Sequence, residues 1–165
     1  MKKFFVALMA ICTVGITLSH AQKMEKDMSL VNIGLGFLPG VGVNVSYDYG
    51  LVDKWGPGVF TIGGFVGFSN WGRNISGMGD YRQTRWAISP RATYRYAINP
   101  DFEVYGAVMT GLYFNTYSKY RDNSTGLFWG TTAGCRYSFM KNMSVFAEIG
   151  YNDVAALNGG ISISF

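Results

Sequence analysis

The chain has 165 residues, of which 48% are hydrophobic and 16% aromatic, and it carries a formal net charge of +4. This length and composition predict one folded domain and exclude an intrinsically disordered chain. So small a positive charge does not indicate a nucleic-acid-binding protein.

Residues 1–21 have the pattern of a cleaved export signal. Lys2 and Lys3 precede an apolar run over 4–18, which is shorter than the roughly 20 residues that a membrane-spanning helix needs. Small residues at Ser19 and Ala21 suit signal peptidase, and we expect cleavage after Ala21. The mature chain would then have a short periplasmic tail at 22–28, a folded domain at 29–165 and a net charge near +2.

Removal of this signal leaves the mature chain with no histidine and with Cys135 as its single cysteine. An internal disulfide is therefore impossible, and catalysis or metal binding by histidine is excluded. The sequence also has no G-x-S-x-G motif, which a serine hydrolase of the common type would carry. We predict a protein that is not an enzyme and binds no cofactor.

Apolar and polar residues alternate with a period of two along the whole mature chain. In 41–49 the valines and tyrosines fall on one face, whereas Gly42, Asn44, Ser46 and Asp48 fall on the other. The same pattern predicts eight strands, at 29–37, 41–49, 58–69, 82–96, 102–114, 126–139, 143–151 and 156–165. Pro90 interrupts one of them and predicts a bulge or a gap in the ladder.

The connections between these strands differ in length at the two ends of the predicted sheet. Segments 50–57, 97–101 and 140–142 share the periplasmic end, and 38–40, 70–81, 115–125 and 152–155 share the outer end, where the longer polar loops are expected. Aromatic and basic residues of the outer loops are candidates for contacts with a surface ligand or with lipopolysaccharide: Trp71, Arg73, Tyr81, Tyr117, Lys119, Tyr120 and Arg121.

Alternation alone fits a soluble lipocalin-type barrel as well as a membrane barrel. Three features favour the membrane. The inward face is rich in Gly, Ser, Thr and Asn, charges are scarce on the apolar face, and aromatic residues collect towards strand ends as two girdles would require. These girdle candidates are Phe37, Tyr47, Tyr49, Trp86, Tyr94, Tyr96, Tyr113, Tyr137, Phe139 and Tyr151.

The last eight residues, NGGISISF, carry a more specific pattern. Asn158, Gly160, Ile163 and the terminal Phe165 match the β-signal that the barrel assembly machinery reads in outer-membrane proteins. Over nearly all of 29–165, the chain resembles the small eight-stranded outer-membrane barrels of the OmpX and OmpA-transmembrane type.

This resemblance implies an all-β fold, a closed antiparallel eight-stranded transmembrane up-and-down β-barrel after a cleaved signal peptide. It further implies an outer-membrane location, a monomer, and membrane lipid, lipopolysaccharide and the assembly machinery as partners.

Charged residues on the inward face form the last candidate site. They are Asp48, Arg85, Arg91, Arg95, Glu103, Arg136 and Glu148. Pairing across the 97–101 turn predicts Arg95 opposite Glu103, and pairing across 140–142 predicts Arg136 diagonal to Glu148. We predict a paired network that fills the lumen of a structural or surface-binding barrel. A narrow pore for small solutes is the alternative, and a lipid-modifying enzyme or a lipocalin-like barrel is less favoured.

Overall fold

A computed structural model describes residues 24–52, 56–75, 79–117 and 123–165, with only the backbone at 73–75 and 79–81. The predicted signal peptide lies outside these ranges. The described chain forms eight strands: β1 Ser29–Phe37, β2 Val41–Val52, β3 Val59–Ile75, β4 Gly79–Asn99, β5 Phe102–Tyr117, β6 Ser124–Met140, β7 Met143–Tyr151 and β8 Leu157–Ser164. No helix in the described ranges is long and apolar enough to cross a bilayer.

The strands close into a barrel in chain order, each antiparallel to its neighbours. β1 pairs with β8 to make the seam, from Leu30 opposite Ser164 to Phe37 opposite Leu157. Beyond this ladder, Ser29 and Phe165 exchange two backbone hydrogen bonds of 2.9 and 3.0 Å. The predicted antiparallel eight-stranded barrel is thereby confirmed, and no sheet edge is left open within it.

Strand residues point alternately outward and into the lumen, as the period of two predicts. Large apolar side chains are on the outside, where Ile33, Val43 and Ile88 are each more than half exposed, whereas Asp48, Thr93 and Ser162 are buried inside. A water-soluble barrel would have the reverse arrangement, because exposed apolar surface is costly in water. The lipocalin-type alternative is therefore disfavoured.

The hairpins predicted as long outer loops are largely strand. β3 and β4 remain paired from Asn70 opposite Thr84 to Ile75 opposite Gly79, so most of 70–81 belongs to the ladder. β5 similarly continues to Tyr117. These strand extensions could not be predicted from alternation. Strands that project beyond a bilayer have water on both faces and therefore need no alternation of apolar and polar residues.

Pro90 disrupts the ladder between β4 and β5. Pairing runs to Ile88 opposite Leu112 and resumes at Arg91 opposite Met109, and in between Ser89 and Pro90 are unpaired on the β5 side. On its other side Pro90 still pairs with Gly64 of β3. A proline has no N–H to donate, which accounts for the gap in the ladder at this position. The gap that the sequence predicts at Pro90 is therefore confirmed.

The predicted register across the 97–101 turn is wrong. A bulge lies between Ala97 and Asn99, which puts Glu103 opposite Ala97, and Arg95 instead faces Tyr105. The side-chain Oδ1 of Asn99 accepts hydrogen bonds from the N–H groups of Asp101 and Phe102. This Asx-type turn leaves only Pro100 and Asp101 as the connection, because Asn99 still pairs with Phe102, and Glu103 lies two positions along β4 from its predicted partner Arg95.

Tyr113 also departs from its predicted place. The sequence assigns it to an aromatic girdle, but inward-facing positions of β5 have odd numbers, and Tyr113 packs against a cluster inside the lumen. The glycines at 106 and 111 obscured the facing of this strand in the sequence.

Candidate functional site: the barrel lumen and its outer mouth

Six buried charged residues form one line of alternating sign across the lumen. In order they are Arg136, Glu103, Arg95, Asp48, Arg91 and Glu148, and we call them the charge chain. The successive N–O distances are 2.7, 3.9, 2.6, 3.8 and 2.5 Å. Each residue comes from a strand whose alternation turns it inward. Three arginines against three carboxylates make the charge chain neutral.

Asp48 is the central acid of the charge chain. It accepts from Arg95 Nη2 at 2.6 Å and from Asn32 Nδ2 at 3.2 Å, and its side chain is fully buried between two guanidinium groups. Burial of an unpaired carboxylate would cost several kcal/mol, and this desolvation cost is offset only when opposite charges and hydrogen bonds surround the group. Asp48 has both.

The partners inside the charge chain differ in part from those predicted. Arg136 and Glu148 are diagonal in register, as expected, but Arg136 pairs with Glu103, which lies directly opposite it. Glu148 pairs instead with Arg91, 57 residues away and on a strand that does not adjoin its own. Contacts across the lumen therefore matter as much as contacts between neighbouring strands.

Uncharged residues that the sequence analysis did not single out complete this region. The Tyr105 hydroxyl donates to Glu148 Oε1 at 3.0 Å, and its ring lies 4.5 Å from the Arg95 guanidinium carbon. Ser46 accepts from both Asn32 and Arg91, at 2.9 and 3.3 Å. The alternation of the strands could have identified these residues as inward-facing. The sequence analysis selected only charged residues and therefore missed them.

At the periplasmic end, the residues before β1 turn into the barrel mouth. Met24 and Met28 are buried with Leu30, and Val59 packs against them. The Met24 N–H donates to Glu103 Oε1 at 2.6 Å. The segment predicted as a short periplasmic tail thus begins, within the described residues, against one acid of the charge chain.

Towards the outer end, apolar side chains occupy the lumen. Phe65, Ala87, Met109, Phe128 and Val154 form one buried cluster, which we call the apolar level. Val154 belongs to the turn 152–155 between β7 and β8, and this turn folds inward so that Asn152, Val154 and Ala155 are nearly inaccessible. A side chain at Gly67 would collide with Val154, so a glycine there leaves room for the inward turn.

Arg85 stands apart from the charge chain. Its Nη1 donates to the backbone oxygen and to Oδ1 of Asp153, at 3.1 and 3.2 Å, and its Nε donates to Asn115. Asp153 was not among the predicted lumen residues, although an aspartate in a four-residue turn is a common local signal. It has a positive φ of 71°, which aspartate tolerates better than most residues.

Burial raises the pKa of Asp153, and the Arg85 guanidinium opposes that rise. The folded chain therefore disfavours the ionised carboxyl relative to water.

Two of the candidate surface residues, Trp71 and Tyr117, lie on strands. Both pair with Gln83 of β4: Trp71 from β3 on one side and Tyr117 from β5 on the other. The backbones of Arg73 and Tyr81 are paired with each other in the β3–β4 hairpin. Lys119, Tyr120 and Arg121 lie outside the described residues. Of the described members of this set, the structure thus brings Trp71 to the outer mouth of the lumen and places Trp71 and Tyr117 on the two strands that flank Gln83.

The four residues of the terminal pattern occupy both faces of β8 and its end. Asn158 points inward and accepts from Asn44 at 2.9 Å, whereas Ile163 and Phe165 point outward. A side chain on Gly160 would collide with the Ile33 carbonyl oxygen across the seam. Gly160 therefore has a packing reason to be glycine, independent of any recognition.

Comparison with known proteins gives a result at the level of structure alone. No protein-family model matches the sequence, and no curated protein matches it. Among solved structures, the attachment invasion locus protein Ail of Yersinia pestis, in complex with the heparin analogue sucrose octasulfate, superposes with a TM-score of 0.53 at 15% identity. The match covers 86% of this chain and 100% of Ail.

The chain has the fold of the small outer-membrane β-barrels. The N-terminal β-barrel domain of Pseudomonas aeruginosa OprF gives a TM-score of 0.52 at 13% identity, over 86% of this chain and 100% of that one. A de novo designed transmembrane β-barrel gives 0.53 at 17% identity, over 87% and 100%. Such low identities establish the architecture, as expected for an OmpX- or OmpA-like barrel, and they do not transfer a function.

Proposed function

We propose that this protein is an outer-membrane barrel that is closed to solutes and acts through its surface, without catalysis or a cofactor. The observation that carries the proposal is the filling of the lumen at successive levels. Met24 and Met28 occupy the periplasmic mouth, the charge chain follows, and the apolar level and the Arg85–Asp153 pair lie towards the outside.

Each level opposes passage for a different physical reason. An eight-stranded barrel is just wide enough for its own side chains. An ion crossing the charge chain would have to break buried ion pairs, which lose several kcal/mol when one partner is removed. An apolar constriction excludes water and hence hydrated ions. These properties favour a closed barrel over the narrow pore.

We expect the purified protein to show little or no steady conductance in planar bilayers. Among the described residues, the apolar level interrupts the polar lining of the lumen, so we expect that insertion alone carries no current. The measurement is single-channel recording on samples in which a boiled-against-unboiled gel has shown the barrel to be folded. A stable conductance step shared by every insertion would instead establish the pore.

The exterior supports an outer-membrane location with membrane lipid and lipopolysaccharide as neighbours. A charged residue that faces lipid costs up to about 2–4 kcal/mol, and large apolar side chains such as Ile33, Val43 and Ile88 are exposed on the outside of the described strands. We expect the protein in the outer-membrane fraction, with a faster gel mobility before boiling than after. Recovery as a soluble periplasmic protein without a mobility shift would refute the location.

A surface-binding role fits the fold and the outer mouth. The attachment invasion locus protein has this architecture and was solved with a heparin analogue. In the present chain, a cavity opens at the outer end above the inward turn. A monomer suffices for such a role, because the closed β1–β8 seam leaves no strand edge for a second copy to pair with.

The barrel assembly machinery is the remaining proposed partner. The support is the terminal pattern, whose aromatic residue is 68% exposed on the outside and is joined to β1 by two backbone hydrogen bonds. A side chain in that position contributes little to the packing of the barrel and is available to be read by another protein.

A further inference from the structure

The outer mouth of the barrel holds a pocket that lies above the filled lumen. Its volume is about 510 Å³, and it lies on the inward turn, with Val154 and Ala155 as its floor. Trp71, Gln83, Arg85 and Asp153 contribute to its walls. This size is within the range of about 300–1,000 Å³ that is usual for small-molecule sites. We call it the outer-mouth pocket.

The charges of this pocket cancel. Arg85 and Asp153, both in its lining, form an ion pair with each other at 3.2 Å. A strongly anionic or cationic ligand would therefore meet no uncompensated charge among these described residues. The pocket favours an uncharged ligand.

Hydrogen-bonding groups of both kinds nevertheless remain. Gln83 donates from its Nε2 to Asn115 at 3.1 Å, and its Oε1 is an acceptor to which the described residues show no hydrogen bond. Asp153 is buried, and its Oδ2 has no hydrogen-bond partner within the described residues. The Arg85 side chain is 25% exposed and presents further N–H donors. A ligand rich in hydroxyl groups, each both donor and acceptor, matches such a set.

The rest of the lining is apolar and includes one large aromatic side chain. Trp71 lies on the inward face of β3 beside Gly40, where a Cβ would come within 3.1 Å of the Trp71 Cβ. Leu38, Pro39 and Ala156 extend the apolar wall. An indole offers a flat apolar surface, which suits a ring whose C–H groups lie on one face while its hydroxyl groups project from the edge.

We propose that the outer-mouth pocket binds a neutral saccharide of one or two hexopyranose rings. This inference rests on the proposed surface-binding role and names its ligand class. Trp71 stacks on the apolar face of one sugar ring, and Gln83, Arg85 and Asp153 exchange hydrogen bonds with its hydroxyl groups. The inward turn forms the floor, so the sugar is held at the outer mouth and does not pass through the barrel.

The test uses the full barrel in phosphocholine vesicles or nanodiscs, because detergents with sugar headgroups would compete for the pocket. Maltose, lactose, cellobiose and N,N′-diacetylchitobiose are titrated at millimolar concentration, and the side-chain NMR signals of Trp71 and Gln83 are followed. We expect saturable shifts of these two signals with at least one neutral sugar. We also expect that sucrose octasulfate, a highly charged sugar, binds more weakly.

Variants separate the site from the rest of the barrel. Trp71→Ala and Gln83→Ala should each weaken binding of that sugar by about tenfold or more, whereas Trp86→Phe on the lipid face should leave it unchanged. Asp153→Asn keeps the positive-φ preference, and Arg85, which is partly exposed, keeps its hydrogen bonds to Asn115 and to the backbone oxygen of residue 153, so the turn should stay folded. Its amide retains one hydrogen-bond acceptor, and its loss of affinity should be smaller than that of Trp71→Ala.

Three results would overturn the saccharide site. They are the absence of saturable shifts with all four neutral sugars, tighter binding of the octasulfate, and sugar binding that survives Trp71→Ala in a folded variant. None of them bears on the closed barrel, which is judged by conductance. Conversely, a conducting barrel that still binds sugar through Trp71 would refute the closed lumen and leave the pocket intact.

Discussion

Replacing Asp48 with asparagine is expected to lower the free energy of unfolding by about 3–5 kcal/mol, the usual cost of breaking a buried ion pair from one side. Asp48 neutralises two arginines at once, Arg91 and Arg95. Asparagine has nearly the same shape, so the loss would come from the charge and not from a cavity. Urea unfolding in lipid vesicles measures it.

The two other acids of the charge chain, Glu103 and Glu148, allow the same effect on stability to be measured at other positions. Glu148 is the last residue of the charge chain; it forms an ion pair with Arg91 and accepts a hydrogen bond from Tyr105. Glu103 contacts two arginines, Arg136 at 2.7 Å and Arg95 at 3.9 Å. Glu103→Ala and Glu148→Ala should both lower the melting temperature. Lys141→Ala, which removes an exposed charge from the β6–β7 turn, is the matched control and should have little effect. Neutral results for all three acids would mean that water solvates these arginines, which would favour the pore.

Changing Phe165 to aspartate is expected to remove most of the folded barrel from the outer membrane in cells and to leave precursor for periplasmic proteolysis. The backbone bonds between Phe165 and Ser29 do not depend on the side chain, so the seam can still close. What is lost is an exposed aromatic group at the position that the assembly machinery would read. The amount of heat-modifiable band in membrane fractions measures the effect.

Refolding without the machinery distinguishes recognition from stability. In lipid vesicles, Phe165→Asp should refold nearly as well as the unmutated protein, and Phe165→Tyr should behave normally in cells. If Phe165→Asp fails equally in both settings, the residue serves only the strand; unchanged amounts in cells would remove the proposed signal altogether. Gly160→Ala is unsuitable for this purpose, because its Cβ would collide with the Ile33 carbonyl whatever reads the strand.

The number and facing of the strands could be predicted because a bilayer imposes a strict rule on each of them. Val41 to Tyr49 alternates without exception, and the structure places Asn44, Ser46 and Asp48 inside and Val43, Val45 and Tyr47 outside. Where this rule weakens, prediction failed. Asn70 to Ile75 lies in a projecting hairpin, and the glycines around Tyr113 leave its facing ambiguous.

The partners inside the lumen were harder to predict for two physical reasons. Register depends on the turn, and the two-residue connection after Asn99, together with the bulge between Ala97 and Asn99, places Glu103 opposite Ala97 and not opposite Arg95. Pairing across the lumen depends on barrel curvature and side-chain length, which alternation does not encode. Arg91 and Glu148 meet although their strands are not adjacent, and Asp153 reaches Arg85 because a turn folds inward.

The charge chain has a consequence for how the barrel can form. Its members come from β2, β4, β5, β6 and β7, so the chain cannot be completed until those five strands have been brought together. In a partly closed sheet, the face that will line the lumen would still be open to lipid. It would carry arginines and carboxylates that have not yet found their partners. Half-built barrels should therefore be rare at equilibrium, and closure of the seam and neutralisation of the charges should occur as one cooperative event.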